Sequence, residues 1–213
     1  PVHGNGGSPA LVDDALVFSC DGASDPFIVA LHKSTGELLW RVARESDAKN
    51  KFSFSTPLVI SVAGQKQIIT PGSNAVSALD PKTGREIWRV RYDGYSVVPR
   101  PVFAHGLLYI ATGFDRPPVL AIRPAGRGAV TATHVVWTVI RGAPNTPSLL
   151  VVGDELYMLS DAGIASCLDA KTGKVHLQER IGGNCSSSPI HAAGRIYFQN
   201  ETGLGVVVQA GTE

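Results

Sequence analysis

Apolar residues in this chain gather in short runs closed by glycine, asparagine or aspartate, a spacing that predicts strands joined by tight turns. Between residues 8 and 55, "PALV" and "ALVFSC" flank Asp13-Asp14, "FIVAL" precedes Ser34-Thr35-Gly36, and "LLWRV" follows that turn. The same order returns between 146 and 187: "PSLLVV", Gly153-Asp154, "ELYMLS", then "IASCL", Thr172-Gly173 and "KVHLQER". Glycine tolerates the positive φ that such hairpin turns demand. Each unit is therefore predicted as four short antiparallel strands, the blade of a β-propeller.

Two markers set the period. A hydroxyl residue followed by proline recurs as Ser8-Pro9, Thr56-Pro57, Thr146-Pro147 and Ser188-Pro189, with Arg100-Pro101 in the gap, at intervals of 48, 44, 46 and 42 residues. Proline suits the first position of a strand, where its missing N–H costs no ladder bond. The tryptophans keep step, Trp40 to Trp88 being 48 residues and Trp88 to Trp137 being 49. Self-similarity at this period means stacked supersecondary units. The expectation is one all-β domain over 1–213, a partial propeller of four blades (8–55, 56–99, 100–145 and 146–187) and an incomplete fifth (188–213).

One phrase recurs within the units: "ALHKSTGELLW" at 30–40, "ALDPKTGREIW" at 78–88 and "CLDAKTGKVHL" at 167–177. A small residue (Ala30, Ala78, Cys167, and Ala121 in the third unit) is set to pack beneath a neighbouring blade. A Thr-Gly turn at Gly36, Gly84 or Gly173 then reverses the chain, and a large ring follows. Small-then-large alternation is how successive sheets interdigitate at native density. Trp40, Trp88 and Trp137 are thus read as structural. In the third unit "PAGRGAVTATH" lengthens the turn by six residues.

Composition narrows the function classes. With 44% apolar residues, 17% charged and a net charge of +1, the chain is neither disordered nor strongly nucleic-acid-seeking. No apolar run approaches the ~20 residues of a bilayer-spanning helix. The opening "PVHGNGGSP" lacks the basic start and apolar stretch of a signal peptide. Cys20, Cys167 and Cys185 fit neither a metal-binding CxxC nor a disulfide framework.

"ALDPKTGREIW" resembles the tryptophan-docking repeat of pyrroloquinoline-quinone-like propellers, as found in quinoprotein alcohol dehydrogenases and in the outer-membrane assembly lipoprotein propeller. "RYDGYSVVPRPVF", "CLDAKTGKVHLQERIGGN" and "SSSPIHAAGRIYF" are similar to secreted bacterial multi-repeat proteins of that superfamily. The resemblance implies an extracytoplasmic location, periplasmic or secreted. It also implies a ring of seven or eight blades, completed by further blades or by pairing of two copies. In the family's dehydrogenases the quinone lies between a tryptophan and two adjacent cysteines, with calcium held nearby. Here no two cysteines adjoin, every tryptophan occupies a repeat position, and the haem-attaching C-x-x-C-H is absent. No cofactor is expected, and pyrroloquinoline quinone with calcium belongs to the alternative reading of a dehydrogenase-like enzyme.

No catalytic residue or metal ligand stands out. His3, His32, His105, His134, His176 and His191 are scattered without ligand spacing, and nucleophile-elbow, phosphate-loop and zincin motifs are missing. Two loop classes are irregular, those joining second to third strands and those joining blades, and they should emerge on one face. They carry Asp21, Asp25, Tyr95, Asp115, Arg116, Asn145, Asp161 and Asn184. Loops on a rigid scaffold are the usual seat of binding, so Tyr95, Asp115, Arg116, Asn145 and Asn184 are candidate ligand contacts. Arg100, in place of the repeated hydroxyl residue, has two readings: a forked anion anchor, or an ion-pair partner of a loop carboxylate such as Asp115, the second being the expectation. "DGASD", residues 21 to 25, is read as a hydrated turn, because it lacks the spacing of a calcium loop. The function expected is a non-catalytic binding or scaffold module contacting a protein or polymer through this face. A small-ligand or carbohydrate site at the channel mouth is a further alternative.

Overall fold

The second strands of the second, third and fourth blades are buried on both faces over Gln67–Gly72, Leu108–Ala111 and Leu156–Leu159, which explains the consecutive apolar residues there. The computed structural model describes residues 4–22, 24–114 and 118–212. The first blade is β1 (Ala10–Val12), β2 (Ala15–Cys20), β3 (Phe27–His32) and β4 (Leu38–Ala43); the second is β5 (Leu58–Val62), β6 (Gln65–Gly72), β7 (Ala75–Leu79) and β8 (Glu86–Arg91). The third has β9 (Val102–Ala104), β10 (Leu107–Ala111), β11 (Val119–Ile122) and, after the short β12 (Gly128–Ala129) and the helical turn α1 (Thr131–His134), its outer strand β13 (Val135–Val139). The fourth is β14 (Leu150–Val152), β15 (Glu155–Leu159), β16 (Ile164–Asp169) and β17 (Val175–Arg180), and a fifth sheet holds β18 (Ile190–Ala192), β19 (Arg195–Gln199) and β20 (Gly205–Gln209). Pairing within each is antiparallel and sequential. The chain is a partial β-propeller of four complete blades and part of a fifth.

Successive side chains of a strand point to opposite faces, and here each face meets a different blade. Ile68 packs with Val17, Ile28 and Trp40 of the first blade, whereas its neighbour Ile69 joins Leu108 and Ile110 of the third. Leu108 and Tyr109, then Leu156 and Tyr157, divide in the same way between the clusters on either side. The core is thus a series of apolar layers between blades.

The recurring phrase closes these layers. Ala30, Ala78, Ala121 and Cys167 stand directly opposite Trp40, Trp88, Trp137 and Leu177 on the adjacent strand, each followed by a register shift. Trp40 and Trp137 dock on the turn of the following blade, donating their indole N–H to the carbonyls of Pro81 (2.9 Å) and Ala170 (3.0 Å). The turns are held by aspartate: Asp80 Oδ1 accepts from the backbone N–H of Lys82 and Thr83, and Asp169 Oδ1 from Thr172. His32 replaces that aspartate in the first blade and accepts from Ser34 and Thr35 through Nδ1.

The glycine of the turn has two roles that can be separated. Gly36, Gly84 and Gly173 all have positive φ (74°, 70° and 73°), but a Cβ on Gly84 or Gly173 would also lie 2.6 or 2.7 Å from the ring of Trp40 or Trp137, while one on Gly36 meets open space. Gly36→Ala should cost about 1–2 kcal/mol from the left-handed backbone alone. Gly84→Ala and Gly173→Ala should cost a further ~1–3 kcal/mol, since the ring must move. Equal losses of melting temperature at all three sites would show that the rings do not depend on these turns.

The third blade departs from the scheme. Its lengthened turn lies along the outer edge of the second blade, where β12 pairs in parallel with β8, Gly128 opposite Trp88. Val130 N–H donates to the Arg89 carbonyl and Thr131 Oγ1 accepts from Arg91 N–H, continuing the seam. Trp88 therefore turns its indole N–H to Gln67 Oε1 in its own blade and is fully buried.

Candidate functional site

The irregular loops gather on the face where the inner strands begin, and several of the predicted residues bond across blade junctions there. Asn145 donates its backbone N–H to Asp161 Oδ2 (2.6 Å), and the Thr146 hydroxyl donates to Asp161 Oδ1 (2.5 Å). The Asn184 carbonyl accepts from Glu201 N–H. Arg100 is exposed, and its backbone N–H donates to Ser148 Oγ (3.0 Å). Asp115 and Arg116, and with them the expected pairing of Arg100 with Asp115, lie outside the described residues.

That bond from Arg100 corrects one alignment. The residues preceding the inner strands are Ser8, Thr56, Arg100, Ser148 and Ser188, not Thr146 in the fourth place: Ser8 N–H donates to Thr56 Oγ1 (3.0 Å) and Ser148 N–H to Ser188 Oγ (2.9 Å). Three of these four junctions are made by one N–H-to-hydroxyl bond. Between Thr56 and Arg100 the acceptor hydroxyl is missing, and Ser55 Oγ donates to the Pro99 carbonyl instead (2.8 Å).

Tyr95 belongs to an aromatic cluster that spacing along the chain did not reveal. Its ring centroid lies 6.0 Å from Phe52, edge-on, and 6.2 Å from Phe114, and Phe52 is 5.9 Å from Phe54. Three loops meet here. Ser96 N–H donates to the Phe52 carbonyl, Phe54 N–H to Val97 and Phe114 N–H to Tyr95. The approach is so close that a Cβ on Gly94 would lie 2.1 Å from the Thr112 carbonyl oxygen, and one on Gly113 2.0 Å from that of Tyr95. Ser96, buried with φ of 54°, takes a conformation unusual for a residue with a side chain. Phe114 is 39% exposed, so the backbone is packed tightly to hold rings at a surface.

A second correction concerns "DGASD". Asp21 is no hydrated turn; its side chain is 1% exposed and bonds Arg44 Nε at 2.7 Å, with Arg44 itself 7% exposed. The remaining guanidinium nitrogens donate to the Thr70 carbonyl and Ser19 Oγ, joining the first and second blades. Gly72 makes the room, since a Cβ there would lie 2.6 Å from an Arg44 nitrogen. Beside it Tyr92 donates its hydroxyl to the Gly72 carbonyl (2.7 Å), and burial raises its phenol above the ordinary range. Burial also pushes the Asp21 carboxyl up, against the pull of Arg44. Asp25 lines an open groove of roughly 650 Å³ with Arg41, Lys51 and Arg91. Arg91 pairs with Asp47 (3.1 Å) and Arg41 stacks over Phe27 (3.9 Å). Mixed charge there favours no ligand of one sign.

Comparison with known proteins adds the family. No curated protein sequence matches the chain. Among solved structures, BamB from Moraxella catarrhalis superposes with a TM-score of 0.69 at 15% identity over 95% of this chain, and quinohemoprotein alcohol dehydrogenase from Comamonas testosteroni with 0.70, 15% and 95%. The propeller domain of Myceliophteria thermophila Cps50 (Swd1) gives 0.60 at 16% identity over 93%. The chain spans 60%, 46% and 63% of those proteins respectively, and at such identities the likeness is one of fold. The family model described as outer membrane protein assembly factor BamB matches residues 2–130 and 128–212. Blades, docking tryptophans and this match agree: the chain belongs to the BamB family of propeller-repeat proteins.

Proposed function

We propose that this chain is a non-catalytic propeller module that binds a protein partner outside the cytoplasm through its irregular-loop face. The observation that carries the reading is the cluster of Phe52, Phe54, Tyr95 and Phe114 on a backbone fixed by Gly94 and Gly113. Aromatic anchors held before binding lose little freedom on association, and such residues dominate interface energetics. The rings are tilted or edge-on to one another, a relief that receives apolar side chains better than a flat sugar face. The name assembly factor, carried by the matching family, fits a protein partner. Among the described residues no helix is long and apolar enough to cross a membrane.

The test is capture from the native extracytoplasmic fraction. Phe114→Asp and Tyr95→Ala should each weaken recovery of a specific protein at least tenfold, about 1.4 kcal/mol, without loss of the β-sheet circular dichroism signal. Undiminished capture by both variants would remove this face from the interaction. Calorimetry with pyrroloquinoline quinone and calcium should stay flat into the high-micromolar range, an affinity of only ~5 kcal/mol. Stoichiometric binding with a shifted quinone spectrum would favour the dehydrogenase-like reading instead.

A further inference from the structure

The fourth blade puts leucine where the first three put tryptophan. Trp40 and Trp137 stand opposite Ala30 and Ala121, each in a layer between two blades, with the indole N–H on a carbonyl of the next turn. Leu177 holds that place between the fourth and fifth sheets, opposite Cys167. Its side chain is smaller than an indole and carries no donor, and it stays 44% exposed where Trp40 is 8%. Beside it lies a cavity of roughly 150 Å³, walled by Tyr157, Cys167, Leu177, Ile181, Phe198 and Val208. Val208 corresponds to Leu79, which packs with Trp40 in the first layer.

The fifth sheet retains the carbonyl on which a ring would dock. Ala210 stands where Ala170 stands in the fourth blade: each directly follows a third strand, and its N–H donates to the preceding hairpin, at Gly194 or Asp154. Its neighbours Gln209 and Gly211 line the cavity. The wall is also held open, because Gly211 is pinned by two buried side chains of the fourth blade. Its N–H donates to the Tyr157 hydroxyl (2.7 Å), and its carbonyl accepts from Cys167 Sγ (3.3 Å). An apolar cavity of about 150 Å³ that does not collapse is large enough to take an aromatic ring. We propose that this cavity binds one small planar aromatic molecule with an N–H or O–H donor, of the indole or phenol class. The ring enters the layer that tryptophan fills elsewhere, and its donor meets the Ala210 carbonyl. The site is separate from the cluster of Phe52, Tyr95 and Phe114, and stands whether or not that cluster binds a partner.

The experiment is a titration of the full chain with indole and p-cresol, followed by amide chemical shifts. Toluene, which lacks the donor, and cyclohexanol, which lacks the aromatic ring, serve as controls. Indole and p-cresol should give saturable shifts centred on Cys167, Leu177, Phe198 and Val208, with both controls binding more weakly. Leu177→Trp, which follows the pattern of the other blades, should fill the cavity with the chain's own ring. Its affinity for indole should fall about tenfold or more, while its melting temperature holds or rises. Val208→Phe fills the space from the facing sheet and should weaken binding likewise, even where the added bulk lowers stability. Shifts that never saturate, shifts centred elsewhere, or undiminished binding in both variants overturn the proposal. So does equal affinity for toluene or cyclohexanol, which would make the cavity a plain apolar void.

Discussion

Replacing Trp88 with alanine is expected to cost about 3–5 kcal/mol of folding stability, as truncation of a large core aromatic does. The ring has no exposed surface and lies among Val76, Val90, Leu108, Leu120 and Ile122 at the layer between the second and third blades. Its indole N–H satisfies Gln67 Oε1 at 2.9 Å, and Gln67 is itself buried. Trp88→Phe separates the two contributions. Phenylalanine keeps most of the contact but strands the glutamine acceptor, a penalty of about 1–3 kcal/mol. Urea denaturation reads both changes as shifts of midpoint. A wild-type midpoint in Trp88→Ala would mean that this layer is not a core.

Arg44→Met should be comparably severe at neutral pH, about 3–5 kcal/mol, because it leaves the Asp21 carboxylate buried without its countercharge. The pH dependence identifies the cause. Burial already raises the Asp21 carboxyl while Arg44 opposes the rise, so losing the cation lets it climb further. A carboxyl with a folded pKa above its unfolded value takes up its proton in the native state first. Stability is therefore gained as pH falls through the folded value, and the gain is complete below the unfolded value. The deficit of Arg44→Met should accordingly shrink between pH 8 and pH 5. An equal deficit at both would indicate that packing of the arginine stem, rather than the stranded charge, is what was lost. Adding Asp21→Leu should recover much of the difference, as replacing both partners of a buried pair often does.

The architecture was legible because one physical constraint repeats. A blade buried on both faces needs a double-sided apolar strand, a turn that accepts positive φ and a ring from the preceding blade to cover that turn, and Ile68-Ile69, Gly84 and Trp40 state all three in short stretches of sequence. What escaped was set by contacts between distant loops. Thr146-Pro147 imitates the dipeptide at the start of an inner strand, yet its hydroxyl is taken by Asp161 and the inner rim passes through Ser148 two residues on. Arg44 sits in a polar stretch that reads as solvent-facing, and its burial depends on Gly72 and Asp21 in other strands and loops. The aromatic cluster draws on three loops. Gly94 and Gly113, which stand outside both stereotyped turns, were the available sign that backbones approach closely there.

The seam between β12 and β8 bears on how such a protein can change by duplication or grafting. In repeat proteins each unit chiefly touches its neighbours, so whole units can be gained or lost with only junctions to rebuild. Here removing the third unit would also take a strand from the second and uncover Trp88, which has no docking turn elsewhere to receive it. Residues 56–145 therefore form the smallest cassette that can be moved intact across this stretch. The fourth unit, which shares apolar layers, the Trp137 ring and the Ser148–Ser188 bond with its neighbours but no strand, is the natural place for exchange, whereas the first is also tied to the second through buried Arg44.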